Sequence, residues 1–104
     1  MNNIAWLQRW FLSLCNREWE HGEGVDIGTI DNPGWQVKIS LSGTVHEGAS
    51  FSEVRREGES DWIFCRVRKN FFEGNGGAEN LDEIIGVFRA WVESQPGNAR
   101  GADG

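Results

Sequence analysis

A chain of 104 residues and 11.7 kDa, with six tryptophans, six phenylalanines and no tyrosine, holds one hydrophobic core and excludes a second domain. A net charge of −6 and a pI near 4.8 argue against nucleic-acid binding, which needs clustered Lys and Arg in excess, and favour basic partners instead. No stretch approaches the roughly 20 apolar residues of a membrane span, and Gln8 and Arg9 interrupt any signal-like run after Met1, so a cytosolic location is expected.

In chain order, residues 3–16 have helical spacing. Ile4, Leu7, Phe11, Leu14 and Cys15 fall within one arc at 100° per residue, and Asn2 or Asn3 is available as N-cap. Trp6 and Trp10 flank that arc four residues apart, either covered by a loop or left partly exposed as a secondary binding anchor. Glycines break the helix at residues 17–24. From Glu18 to Asp31 there are five carboxylates, Glu18, Glu20, Glu23, Asp26 and Asp31, and no Lys or Arg.

Residues 24–41 carry two strand-like runs joined by Asp31-Asn32-Pro33-Gly34. The turn supplies an Asx acceptor, a fixed φ and a glycine free to take positive φ. In the second run Trp35, Val37, Ile39 and Leu41 alternate with Gln36, Lys38, Ser40 and Ser42, the signature of a half-buried strand. This predicts an antiparallel hairpin at the centre of a sheet. A loop at 43–48 leads to a third strand near 51–56, whose irregular pattern suits a bulge or an edge. A fourth follows at 62–69, with Ile63, Cys65 and Val67 on one side and Trp62, Phe64, Arg66 and Arg68 on the other. Lys38, Arg55, Arg56, Arg66, Arg68 and Lys69 either make the outer face of these strands basic or form cross-strand pairs with Glu53 and similar groups.

Phe71–Gly77 reads as a short apolar piece and a flexible turn. It lacks the Lys and the GxxxxGK[ST] spacing of a phosphate loop, and the acids that follow would repel phosphate. Those acids suit a helix start instead, with Asn80 as N-cap and Glu83 at N3. Residues 81–94 then present Leu81, Ile84, Ile85, Phe88, Trp91 and Val92 within about 120° of arc. Gln95-Pro96-Gly97 ends the helix. The elements predict an α+β fold over residues 1–94, an antiparallel sheet of four to five strands with the N-terminal and C-terminal helices on one face, and a flexible tail over 95–104.

No arrangement carries a catalytic signature. His21 and His46 lack ligand spacing with their neighbouring acids, which argues against a metal or another cofactor, and Cys15 and Cys65 are expected as reduced core thiols. Carboxylates and aromatics concentrated in one stretch can instead clasp a basic macromolecule through charge-assisted hydrogen bonds and desolvated anchors.

The order Trp6-Leu7, Trp10, Trp19-Glu20-His21, Gly24-Val25, Ile27 to Trp35, Gly43-Thr44, Asp61-Trp62, Cys65-Arg66-Val67, Phe72-Glu73-Gly74, Asn80-Leu81, Phe88 and Trp91-Val92 resembles the immunity protein 53 family of bacterial polymorphic-toxin systems. The resemblance implies a cytosolic antidote, not an enzyme, that binds and blocks a cognate toxin domain encoded beside it. The toxin is expected to be basic, and this chain a monomer or weak dimer. Trp19, Glu20, His21, Glu23, Asp26 and Asp31 are the expected toxin contacts, while Asn32, Pro33, Gly34 and Trp35 are expected to hold the turn. The alternative is a small ligand-binding module using the same loops for a sugar or a cation. A further possibility is a minor hydrolase built on paired carboxylates.

Overall fold

The structure, a computed structural model, describes residues 1–95; the expected tail lies outside the described residues from Pro96 onward. Asn2 opens the first helix, its side-chain oxygen accepting the Ala5 N–H at 2.7 Å and so satisfying one donor of the first turn. The chain then runs α1 (Asn3–Leu14), a single helical turn α2 (Trp19–Gly22), β1 (Val25–Ile30), β2 (Gly34–Ser40), β3 (Val54–Arg56), β4 (Ile63–Arg68), β5 (Phe71–Gly77) and α3 (Leu81–Ser94). Five antiparallel strands lie in the order β1-β2-β5-β4-β3, and α1 and α3 share one face, giving the α+β architecture that the sequence predicts.

The hairpin is where it was expected, but it is not the centre of the sheet. β1 is an edge strand, and the central strand is β5, built from the residues that read as a flexible turn. Glycine there answers to packing. A Cβ on Gly74 would collide with Ile84 Cγ2, and one on Gly76 would lie 3.0 Å from Asn80 Cβ and 3.1 Å from Ile84 Cδ1. Removing those side chains lets α3 press onto the sheet backbone. Gly34 is likewise held by contact, not by positive φ: its Cβ would meet the Gly76 carbonyl across the ladder.

Around this contact the core assembles from Val37, Ile39 and Leu41 on β2 and its extension, Ile63 and Cys65 on β4, Phe72 on β5, and Ile84, Ile85, Phe88 and Val92 on α3. Burial pushes the Cys65 thiol up to about 12, which leaves it an unreactive apolar filler. The arc expected on α1 is rotated. Only Leu7 is fully buried and Ile4 is 45% exposed, because α1 packs sideways on α3 as well as down on the sheet. Trp6 and Trp10 make that lateral contact, edge-on to Phe88 with ring centroids at 6.0 and 5.0 Å.

β3 is a three-residue edge strand, as its irregular pattern suggested. Arg56 on it faces the helix layer and grips both carboxylate oxygens of Glu83 at 2.6 and 2.7 Å, with Asp61 at 2.7 Å. That clamp also corrects the capping box. Asn80 is the N-cap residue of α3, but its side chain makes no capping bond, and its amide N–H groups donate to Asp61 and Glu83 instead.

His46 is buried in the β2–β3 connection against the Trp91 ring, and its Nδ1 has no partner. Burial holds its pKa below the ordinary 6.5. The unfolded chain therefore binds a proton that the folded chain refuses, so stability falls as pH drops below about 6.5. In His46→Gln this part of the acid sensitivity should disappear from urea melts compared at pH 7.5 and 5.5. Gly74→Val should cost about 1–3 kcal/mol through overpacking under Ile84, read as a lower urea midpoint at unchanged slope.

Candidate functional site

Among the described residues no helix or strand covers the face of the sheet opposite the helices, and cross-strand register fixes what it displays. Asp26 lies opposite Lys38, Lys38 opposite Glu73, and Glu73 opposite Arg66, so one row alternates in sign across four strands. Arg55 and Arg68 join Lys38 and Arg66 on this face, whereas Arg56 projects to the helix side and Lys69 sits in the β4–β5 turn. The face is not a free basic patch. Glu73, rather than Glu53, draws Arg66 to 2.9 Å and Arg68 to 3.6 Å, while Lys38 and Arg55 lie over the rings of Phe71 and Phe64 at 4.5 and 4.6 Å. At the end of the row, Asp26 has no ion pair among the described residues.

Beside Asp26 the segment that joins α1 to β1 folds over the sheet margin. Arg17 takes positive φ, and Asn16 Oδ1 accepts the N–H groups of Glu18 and Trp19 at 2.9 and 2.8 Å, starting the turn of α2. The Glu20 carboxylate reaches back to the N–H groups of Asn16 and Arg17 at 2.9 and 2.8 Å. Its own N–H, with those two, holds the Glu20 carboxyl below its ordinary 4.5. Glu23 accepts the Ser40 hydroxyl, which explains why Ser40 is buried although it falls on the polar side of β2.

Trp19 is only 8% exposed. Its indole N–H donates to the Ser42 carbonyl at 2.8 Å, and its ring meets Trp10 edge-on at 6.2 Å and Phe11 at 6.0 Å. It supports the segment from below instead of facing solvent. Glu20, Glu23 and Asp26 come together on a cavity of about 430 Å³, whose other walls are Phe11, Gly22, Gly24, Val25, Lys38, Ser40 and Phe71. His21 is exposed on α2, outside this cavity. Asp31 lies in the hairpin turn, about 16 Å along β1 from Asp26 at the usual strand rise. In that turn Asn32 and Pro33 are exposed, and Trp35 anchors the hairpin by donating its indole N–H to the Ala78 carbonyl at 2.9 Å.

The six residues singled out in the sequence thus divide three ways. Trp19 is interior, Glu20 and Glu23 shape the loop while lining the cavity, and His21, Asp26 and Asp31 are open to solvent. Lys38, Ser40 and Phe71 were not among them. The first two follow from hairpin register, which pairs Asp26 with Lys38, whereas Phe71 is placed only by the central position of β5. A larger hollow of about 520 Å³ near Arg55, Trp62 and Phe64 contains none of the six. Among the described residues no group of three or more His, Cys, Asp or Glu side chains is arranged to hold a metal ion.

The sequence model of the family described as immunity protein 53 matches residues 4–93, most of the chain. Neither the curated proteins nor the solved structures contain a match.

The Glu20 geometry has a measurable consequence. Glu20→Ala should speed hydrogen exchange at the Asn16 and Arg17 amides, whereas Asp26→Ala should leave both amides at the wild-type rate.

Proposed function

Because the chain belongs to the immunity protein 53 family, we propose that it neutralises a cognate toxin domain of a bacterial polymorphic-toxin system by binding it in the cytosol, stoichiometrically and without turnover. The observation that carries the reading beyond membership is the acidic flank of the sheet. Glu20, Glu23 and Asp26 share one cavity, and His21 and Asp31 are exposed on the same segment. Such a flank suits a basic toxin surface, where Lys or Arg groups would make charge-assisted hydrogen bonds to carboxylates that are in no ion pair among the described residues.

In this reading Asp26, Asp31 and His21 touch the toxin. Glu20 and Glu23 present the cavity wall, and Trp19 stiffens it from beneath. Trp6 and Trp10 pack against Phe88 and contribute rigidity to the same end of the molecule. The inhibitor acts as a monomer or weak dimer.

The cavity also gives a second reading, a module that holds a sugar or a cation. Co-expression with the toxin domain encoded beside this chain separates the two. Wild-type protein should rescue a sensitive host and co-purify with the toxin, whereas Asp31→Lys at unchanged melting temperature, and Asp26→Asn, which avoids setting a second lysine opposite Lys38, should each weaken binding, Asp31→Lys about tenfold or more because like charges then face each other. Failure to rescue or bind, together with saturable sugar or cation binding by the isolated protein, would favour the second reading.

A further inference from the structure

The two edges of the sheet are built differently. β3 is three residues long, carries Arg55 and Arg56, and is tied to α3 through Glu83, features that blunt an edge against further pairing. β1 runs for six residues in continuous register with β2 and contains no Lys, Pro or bulge. The Ser40 N–H bonds the Gly24 carbonyl at 3.0 Å, which sets the phase of the ladder. Bonded and non-bonded positions alternate in an antiparallel pair, so Gly24, Asp26, Gly28 and Ile30 bond towards β2 while the N–H and C=O groups of Val25, Ile27 and Thr29 point away from the sheet. Among the described residues no loop or side-chain hydrogen bond reaches those outward groups.

The side chains along this edge define what fits it. Val25 and Ile27 face the helix layer, Ile27 is 41% exposed, and an apolar hollow of about 250 Å³ beside Val25 is lined by Leu7, Gln8 and Phe11. The opposite face of the strand carries Asp26, which is in no ion pair among the described residues. A second copy of this chain is a poor occupant, because pairing β1 with β1 would bring together two segments that each hold five carboxylates and no Lys or Arg between Glu18 and Asp31.

We propose that the outer edge of β1 receives an extended segment of the toxin as a sixth strand. Apolar residues of that segment lie over Val25 and Ile27, and alternate Lys or Arg residues lie beside Asp26. Backbone bonds supply affinity, and the alternation supplies specificity. This rests on the inhibitor reading above and names the mode of contact.

The test is amide hydrogen exchange on the full chain, free and in complex with the toxin domain encoded beside it. Exchange at Val25, Ile27 and Thr29 should slow about tenfold or more in the complex, while Asp26 and Gly28, already bonded to β2, change much less. Ile27→Pro, which removes an outward N–H and an apolar side chain of the edge but no ladder bond to β2, should weaken the complex with little change in circular dichroism. Unchanged exchange at the three outward amides in a toxin that is still inhibited would overturn strand addition and leave the inhibitor reading standing. A toxin that neither binds nor is inhibited would overturn both. Protection of the same amides at high concentration without toxin would assign the edge to a second copy and overturn the proposal.

Discussion

The fold depends on how closely α3 seats on β5. Gly74 and Gly76 place bare backbone beneath Ile84 and Asn80, and the core residues of β2, β4 and α3 cluster around that approach. A helix centred over the middle strand cannot also cover both margins of a five-stranded sheet. On the β3 side the gap is closed by the Arg56–Glu83 clamp. On the β1 side Ile27 is 41% exposed, and the outward N–H and C=O groups of Val25, Ile27 and Thr29 have no hydrogen-bond partner among the described residues. The same contact that makes the core therefore determines which edge remains available.

Charge follows the same geometry. On the open face Glu73 draws in Arg66 and Arg68, while Lys38 and Arg55 lie over the Phe71 and Phe64 rings, which hold the cations in place without cancelling their charge. At the acidic flank the carboxylates are held by backbone N–H groups and a hydroxyl, as with Glu20 and Glu23, or are in no ion pair among the described residues, as with Asp26. Neutral partners hold a carboxylate in place without cancelling its field, and a field left over in this way is available to steer a cationic partner.

Much of this was legible in the residues. The hairpin, β4, α1 and α3 follow from periodicity, since alternation along Trp35–Leu41 and the stripe from Leu81 to Val92 each bury one face. The glycines of β5 misled because glycine normally signals a turn, and its use here for close approach depends on a helix arriving from residues further along the chain. With residues 71–77 read as a turn, the hairpin is left as the centre of the sheet, so the second error follows from the first. At the site, the concentration of acids was visible, but their division was not. Whether Glu20 faces a partner or its own backbone depends on Arg17 taking positive φ, and the burial of Trp19 depends on the Ser42 carbonyl 23 residues away.

The proposed function rests on one physical claim, that a cationic toxin is drawn to and held by the β1 side of this chain. The most direct measurement is the association rate with the toxin domain as a function of salt. The rate constant should fall steeply as ionic strength rises from about 0.02 to 0.3 M, and Asp26→Asn with Asp31→Asn should flatten that dependence while leaving dissociation less affected. A rate that is independent of salt, or a slope that the double variant leaves untouched, would contradict the account.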